Sequence, residues 1–331
     1  MSIDPPFQEA CNALFKGSLV RAKDEKLVRV EECELPLIDM NCLTLGHKDR
    51  EKCMKQMAQA ASEWGFFQVV NHGISQGVLQ SLICEQIKVF HEPLSKKTKE
   101  NFLNLPSNSY RWGNPDATCL RQFSWSEALH ISLADISRMD GYKTTLRSTI
   151  EAFAGTAATL SQNLAEILAQ NLGVKSNYFR QYCAPYTSYL RMNRYPPCPF
   201  SSDQVYGLMP HTDSDFLTIL YQDQIGGLQL KKHGRWLAVI PNPQSLIINI
   251  GDLFQVFSNN VYKSMEHRVL APQRVERFSV AFFYCPSYDA VIQSYGKPTM
   301  YRKFSFREYK QQIQKDVQAT GDKVGVSRFL L

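Results

Sequence analysis

The sequence lacks the features that mark membrane, exported and metal-thiolate proteins. No run of eighteen apolar residues occurs in the 331-residue chain, so a membrane-spanning helix is not expected. The first residues, MSIDPPFQEACNALF, have neither the basic nor the apolar region of a signal peptide. None of the nine cysteines forms a Cys-x-x-Cys pair, which disfavours zinc and dithiol redox sites. We therefore expect a soluble, unexported protein with reduced thiols, located in the cytoplasm with the nucleus as an alternative.

Clustered positive charge is also missing. The chain has 37 Lys and Arg against 31 Asp and Glu, a formal net charge of +6, but these residues are scattered, and Lys96, Lys97 and Lys99 form the densest basic run. A nucleic-acid-binding surface needs clustered basic residues, so neither nucleic acid nor a membrane is expected as a partner. The small excess of positive charge fits an anionic small-molecule substrate instead. We also expect a monomer.

The hydrophobic pattern changes its period along the chain. Apolar residues three and four apart predict helices over 49–64, 78–90 and 150–168, with Gly65 and Gly173 ending the first and the last. From about residue 188 the period becomes two, which is typical of strands. The predicted strands are 66–70 and then 188–195, 207–213, 216–221, 227–231, 235–240, 245–250, 266–271 and 276–284, with a hairpin turn at Lys232-His233-Gly234.

Eight short strands within about a hundred residues suggest a double-sheet jelly roll. The predicted fold class is therefore α+β, mainly β, with a double-stranded β-helix (jelly roll) core braced by N-terminal and central helices. We divide this one compact unit into four regions. They are an N-terminal helical region with short strands (1–135), a bracing helix (136–180), the jelly roll (181–290) and a C-terminal helical tail (291–331).

A candidate metal site combines His211-Thr212-Asp213 with His267. Residues two apart on a strand point to the same side, so His211 and Asp213 converge, and a jelly roll can bring the later strand of His267 beside them. Two histidines and one carboxylate leave three positions of an octahedral iron(II) open, as non-haem oxygenases require. A surface or capping role for His-x-Asp and a zinc hydrolase remain alternatives, although no general base is evident nearby. Structural or surface roles are expected for His47, His72, His91, His130 and His233.

A candidate carboxylate-binding pair lies ten residues beyond His267. Arg277 and Ser279 share one side of the last predicted strand, and a guanidinium forms a bidentate pair with a carboxylate, to which a hydroxyl adds a third hydrogen bond. Asn193 and Tyr195 share a side of an earlier strand and offer further polar contacts. A surface Arg and routine strand packing are the alternatives.

The ordered motifs LPLIDM, GFFQVVNHGI, NRYPPCP, GLMPHTDSDFLTIL, GGLQL, QSLIINIGDLFQVFSNNVYKSMEHRVL and RFSVAFFYCP resemble the plant 2-oxoglutarate and iron(II)-dependent dioxygenases over most of the chain. The resemblance implies an enzyme that uses Fe(2+), 2-oxoglutarate and dioxygen, with ascorbate as reductant. It implies that His211, Asp213 and His267 bind iron and are catalytic together with Arg277. It also implies that 2-oxoglutarate contacts Arg277, Ser279, Tyr195 and Asn193.

The segment 107–130 is the predicted substrate-selecting segment. Its aromatic residues and Arg suit an apolar carboxylic acid, and YRWGNPDAT with RQFSWSEALHI resembles the gibberellin 2-oxidases that act on twenty-carbon gibberellins. That resemblance implies hydroxylation at carbon 2, which inactivates the hormone pathway. The candidate substrate contacts are Tyr110, Arg111, Trp112, Arg121 and Glu127. A related hydroxylase acting on a flavonoid or another acid, a hormone-binding jelly-roll sensor and a plain surface loop remain alternatives.

Overall fold

Eight α-helices occur in the part of the chain that the computed structural model describes, which comprises residues 2–17, 30–139, 144–174, 177–183, 187–200 and 205–331. The three predicted helices are confirmed, with bounds that differ by up to six residues. The helices are α1 (Phe7–Gly17), α2 (His47–Glu63), α3 (Gln76–Phe90), α4 (Leu94–Lys97), α5 (Thr144–Asn171), α6 (Tyr178–Tyr182), α7 (Asp252–Phe257) and α8 (Phe306–Thr320).

The ends of the predicted helices have identifiable causes. Ser75 precedes α3, and its side-chain oxygen accepts a hydrogen bond from the backbone N–H of Val78 at 3.3 Å, which satisfies one free donor of the first turn. Gly65 follows α2 with a φ of +63°, and a Cβ there would lie 2.2 Å from the carbonyl oxygen of Lys263. Gly173 follows α5 with a φ of +75°. Both predicted glycine stops are confirmed.

All eight predicted strands of the second half are confirmed. They are β6 (Tyr189–Tyr195), β7 (Tyr206–His211), β8 (Leu217–Gln222), β9 (Leu228–Lys232), β10 (Arg235–Val239), β11 (Leu246–Ile250), β12 (His267–Leu270) and β13 (Arg277–Tyr284). The predicted hairpin joins β9 to β10. His233 and Gly234 have φ values of 50° and 78°, as a two-residue turn with two left-handed positions requires.

Seven further strands complete the sheets: β1 (Glu31–Cys33), β2 (Leu37–Asp39), β3 (Phe66–Val70), β4 (Tyr110–Trp112), β5 (Glu127–Ser132), β14 (Val291–Ile292) and β15 (Phe304–Ser305). The major sheet has the order β2-β3-β11-β8-β13-β6-β5-β4, and the minor sheet has the order β1-β10-β9-β12-β7. The predicted jelly roll is therefore confirmed as two facing sheets, and the region 1–135 contributes strands to both of them.

The segment 107–130, for which a plain surface loop was one alternative, is only partly a loop. Its two ends form β4 and β5, which extend the major sheet beyond β6. No clear period of two marks these strands in the sequence, because the residues of β5 are buried on both sides for most of its length. Side chains from both the strands and the loop of this segment therefore point into the protein.

The two faces of the major sheet pack against different partners. Leu190 and Met192 of β6 belong to the large core shared with α5, which lies against β8 and β13. Tyr195 of the same strand instead joins a smaller cluster that includes Leu230 and Val269 of the minor sheet. Odd-numbered residues of β6 therefore face the space between the sheets, where a jelly roll builds its site.

The described helices include none that is long and apolar enough to cross a bilayer. All nine cysteines are free thiols. Burial raises the pKa of Cys53 to about 11, so this thiol stays protonated and unreactive at neutral pH.

Candidate active site

The structure brings His211, Asp213 and His267 together between the sheets. His211 ends β7 and His267 begins β12, where the antiparallel register pairs the two residues directly and places their ring centroids 4.3 Å apart. Asp213 Oδ1 lies 3.6 Å from His211 Nε2 and 3.8 Å from His267 Nε2. One ligand atom from each residue lies within 4.8 Å of the others, so the three side chains can hold one metal ion.

Both imidazoles are oriented by a backbone carbonyl two residues earlier. His211 Nδ1 lies 2.8 Å from the Met209 oxygen, and His267 Nδ1 lies 3.1 Å from the Met265 oxygen. Since a carbonyl can only accept, each Nδ1 carries the proton and each Nε2 presents its lone pair to the centre. Burial lowers the pKa of His267 to about 4, with repulsion from His211 acting in the same direction, so this ring is a neutral ligand at pH 7.

Asp213 is supported by two side chains that the sequence analysis did not single out. Its Oδ2 accepts hydrogen bonds from Thr218 Oγ1 at 2.6 Å and Asn249 Nδ2 at 2.7 Å, which leaves Oδ1 for a metal. Burial raises the pKa of Asp213, but electrostatic interactions with the neighbouring His267 and His211, together with the hydrogen bond from Thr218, outweigh burial and hold the pKa below its usual range. The carboxylate is therefore ionised and turned toward the histidines.

The turn that carries Asp213 is fixed from the C-terminal tail. Lys323 Nζ donates to the Thr212 carbonyl and to Ser214 Oγ, both at 2.8 Å, and pairs with Asp252 Oδ2 at 2.5 Å. Residues after the last sheet thus help to position the metal ligands. No sequence pattern linked this lysine to the site, because more than a hundred residues separate it from the turn.

The four residues predicted to bind a carboxylate lie on the inner face of β6 and β13. The register pairs Arg277 with Tyr195 and Ser279 with Asn193, so the four predicted residues share one face. The guanidinium lies 4.8 Å from the centre of the Tyr195 ring, and Nη1 lies 3.4 Å from Ser279 Oγ. The sequence-predicted grouping of these four residues is thus present.

Arg277 is a buried cation without a carboxylate partner. Its side chain is 1% exposed, Nε donates to the Gly226 carbonyl at 2.5 Å, and Nη2 donates to Gln222 Oε1 at 2.7 Å. Among the described residues, no acid lies within ion-pair distance of this guanidinium. A buried charge is costly unless it is paired, so this arrangement is suited to an anionic ligand.

A cavity of about 1130 Å³ lies along the inner face of β5 and β6. Helix α1 and the 106–117 segment line one side, and the inner face of β5 and β6 lines the other. Its wall includes Met209, whose carbonyl orients His211, so the cavity reaches the end of β7 that carries the metal ligands. A cavity of this size and mixed lining suits a small organic ligand.

The predicted substrate residues divide into two groups. Tyr110, Arg111 and Trp112 line the cavity and stay candidate substrate contacts, whereas Arg121 is exposed and does not line it. Glu127 is also absent from the wall, because it is fully buried on the other face of β5.

The Glu127 carboxylate belongs to a buried ion network. Lys97 Nζ pairs with it, Arg194 Nη1 lies 2.5 Å from Oε1, and the Tyr110 hydroxyl donates to Oε2 at 2.5 Å. Arg194 also pairs with Asp4 at 2.7 Å. The network thus fixes the N-terminal segment against the sheet and gives Glu127 a structural role.

Two family descriptions match the chain. The description "2OG-Fe(II) oxygenase superfamily" matches residues 186–286, and "non-haem dioxygenase in morphine synthesis N-terminal" matches residues 35–146. Among curated proteins, gibberellin 2-beta-dioxygenase 8 of Arabidopsis thaliana is 55% identical over 99% of both chains. Gibberellin 2-beta-dioxygenase 6 of Oryza sativa subsp. japonica is 44% identical over 99% of this chain and 96% of its own.

Solved structures agree with these sequence matches. The crystal structure of JOX2 in complex with 2OG, Fe and JA superposes with a TM-score of 0.74 and 30% identity, covering 93% of this chain and 94% of its own. A rice dioxygenase for auxin oxidation superposes with a TM-score of 0.73 and 26% identity, covering 90% and 100%. The fold described above is therefore similar to that of a protein whose solved structure holds 2OG and Fe.

Proposed function

The chain belongs to the 2OG-Fe(II) oxygenase superfamily, in the family of the gibberellin 2-beta-dioxygenases, and we propose on that premise that it hydroxylates gibberellins at carbon 2. The observation that carries this proposal is the 55% identity to a gibberellin 2-beta-dioxygenase along the full length of both chains. The cofactors of such an enzyme are iron(II) and 2-oxoglutarate, and the donor set found here fits them.

We assign the metal-binding role to His211, Asp213 and His267. Two imidazole nitrogens and one carboxylate oxygen, from side chains that further hydrogen bonds hold in place, are the donors that iron(II) accepts with coordination positions left open. Arg277 would bind the distal carboxylate of 2-oxoglutarate, because its guanidinium is buried and lacks an acid partner. Ser279, Tyr195 and Asn193 complete that wall of the pocket.

When bound, iron(II) and 2-oxoglutarate would supply the chemistry by which dioxygen converts an unactivated C–H bond into C–OH, with succinate and carbon dioxide as the other products. The contribution of the chain is orientation. The cavity walls of Tyr110, Trp112 and α1 hold an apolar ring system, so that one carbon faces the metal centre and the others do not. Burial between the sheets keeps bulk water away from the reacting groups.

We also propose a substrate preference and a cellular location. Twenty-carbon gibberellins are the expected substrates, supported by the YRWGNPDAT and RQFSWSEALHI segments that supply β4 and the start of β5. Nine free thiols fit a reducing compartment, which supports a cytoplasmic location. A hydroxylase of flavonoids or other acids and a hormone sensor are the alternatives that an assay must separate.

Purified protein should be incubated with iron(II), 2-oxoglutarate, ascorbate and a panel of twenty-carbon gibberellins, nineteen-carbon gibberellins and flavonoids. Mass spectrometry and NMR then identify any product and the position of its hydroxyl. We expect 2β-hydroxylated gibberellins, with the twenty-carbon substrates consumed fastest. Turnover of flavonoids alone would replace the proposed substrate, and gibberellin binding without succinate formation would identify a sensor.

A further inference from the structure

Positive side chains gather at one end of the cavity. Arg111, His130 and Arg191 line it, and Lys310 of α8 lines a small adjoining cavity that shares His130. Burial lowers the pKa of His130 to about 4, and the charges of Arg191, Lys310 and Arg111 act in the same direction. Three cations thus surround a neutral imidazole at the place where β5 and β6 meet.

Acidic side chains on the same cavity wall do not neutralise this cluster. Asp135 lines the cavity, but it pairs with Arg138 at 3.3 Å. Asp116 is exposed on the opposite loop and makes no ion pair within the described ranges. The end of the cavity at β6 therefore carries uncompensated positive charge, which favours an anionic group of a ligand.

Arg191 is the best placed of these cations. It occupies the middle of β6, where the register sets it between His130 of β5 and Ala281 of β13. Its neighbours Leu190 and Met192 point into the helix-facing core, so Arg191 points into the space between the sheets. Its Nε donates to Asn193 Oδ1 at 3.0 Å, which fixes the guanidinium plane. Within the described part of the chain, its two terminal nitrogens have no hydrogen-bond partner.

The two arginines singled out from the sequence are placed less favourably. Arg111 is exposed at the outer edge of the sheet, where its Nε donates to the Asn108 carbonyl at 3.1 Å. Arg121 is exposed and lies off the cavity wall. An exposed ion pair contributes little, whereas a half-buried, pre-oriented guanidinium can bind a carboxylate through two parallel hydrogen bonds.

We propose that Arg191 binds a carboxylate of the gibberellin substrate and thereby sets which carbon faces the metal centre. This inference rests on the proposed function. Asn193, which holds Arg191, lies opposite Ser279 in the register, so the substrate anchor and the wall of the 2-oxoglutarate pocket share one rigid pair of strands. A substrate held by Arg191 is therefore held at a fixed distance from the cosubstrate.

The test compares a gibberellin free acid with its methyl ester, which removes the negative charge and keeps the ring system. Wild-type enzyme should prefer the acid. In Arg191→Gln, kcat/KM for the acid should fall about 10- to 150-fold, the loss expected for one charge-assisted contact, while kcat/KM for the ester changes little. Arg191→Lys keeps the positive charge but cannot form two parallel hydrogen bonds with a carboxylate. This variant should therefore retain part of the preference for the acid. Arg111→Gln tests the competing arginine on the same cavity, and this variant should keep the wild-type preference for the acid over the ester.

Two further measurements distinguish a wrong Arg191 assignment from a wrong proposed function. The KM for 2-oxoglutarate and the substrate-free formation of succinate should stay at wild-type values in Arg191→Gln, which shows that the fold and the metal centre are intact. An active wild type combined with equal losses for acid and ester in Arg191→Gln would overturn the Arg191 assignment alone. A wild type that forms succinate but hydroxylates no gibberellin overturns both the assignment and the proposed function. If Arg191→Gln does not fold, the other two variants decide. The assignment is rejected if Arg191→Lys keeps the full preference for the acid while Arg111→Gln loses that preference.

Discussion

Replacing Arg277 by lysine should weaken 2-oxoglutarate far more than the organic substrate. The guanidinium makes hydrogen bonds with Gly226 and Gln222 that fix its plane, and it packs against the Tyr195 ring. A lysine keeps the charge but cannot make these contacts and a two-point carboxylate contact together. Loss of one charge-assisted hydrogen bond costs about 1.5–3 kcal/mol, which corresponds to about a 10- to 150-fold rise in the KM for 2-oxoglutarate.

The assay measures succinate formation against 2-oxoglutarate concentration at saturating gibberellin, and calorimetric titration of the iron-loaded protein gives the affinity directly. Arg194→Lys is the matched control, since Arg194 is 3% exposed on the opposite face of β6 and binds carboxylates of the protein itself. It should lower the melting temperature and leave the KM for 2-oxoglutarate unchanged. A rise confined to the gibberellin KM in Arg277→Lys would refute the reasoning and place Arg277 in the other substrate pocket.

Three further predictions concern the metal centre and the fold. His211→Ala and His267→Ala should each abolish iron binding, measured by metal analysis after gel filtration, because two remaining ligands compete poorly with water; full turnover by either variant would reject the assignment. Asn249→Ala removes the 2.7 Å hydrogen bond to Asp213 and should weaken iron about 10- to 100-fold in a titration, whereas unchanged affinity would show that this support is dispensable. Glu127→Gln leaves two buried cations short of a carboxylate and should lower the unfolding free energy by about 3–5 kcal/mol in urea denaturation; a loss below about 1 kcal/mol would contradict the buried network.

The sequence pattern was informative where a local period decides the structure. Alternation placed Arg277 with Ser279 on a common strand face, and it located all eight strands of the second half. It also placed Asp213 on the strand of His211, whereas in the structure Asp213 lies in the turn that follows β7. Glycines at the ends of α2 and α5 were recognised because a left-handed position favours that residue. These features depend on neighbours a few residues apart.

The features that the sequence did not reveal depend on contacts between distant residues. Glu127 was expected to contact substrate, but Arg194, 67 positions later, neutralises it inside the sheet. Asn249 supports Asp213 across 36 positions, and no local pattern distinguishes it from any other strand residue. Arg191 and helix α1 line the cavity only because β6 and the N-terminal segment meet there in three dimensions.

The most direct test of the central claim is the fate of labelled dioxygen in a reaction with a twenty-carbon gibberellin. Purified enzyme with iron(II), 2-oxoglutarate and ascorbate should place one labelled oxygen atom in the product hydroxyl at carbon 2 and the other in succinate. The two products should form in equal amounts, and the reaction of His267→Ala should yield neither. Succinate formed without any hydroxylated gibberellin, or hydroxylation at another carbon, would contradict the account.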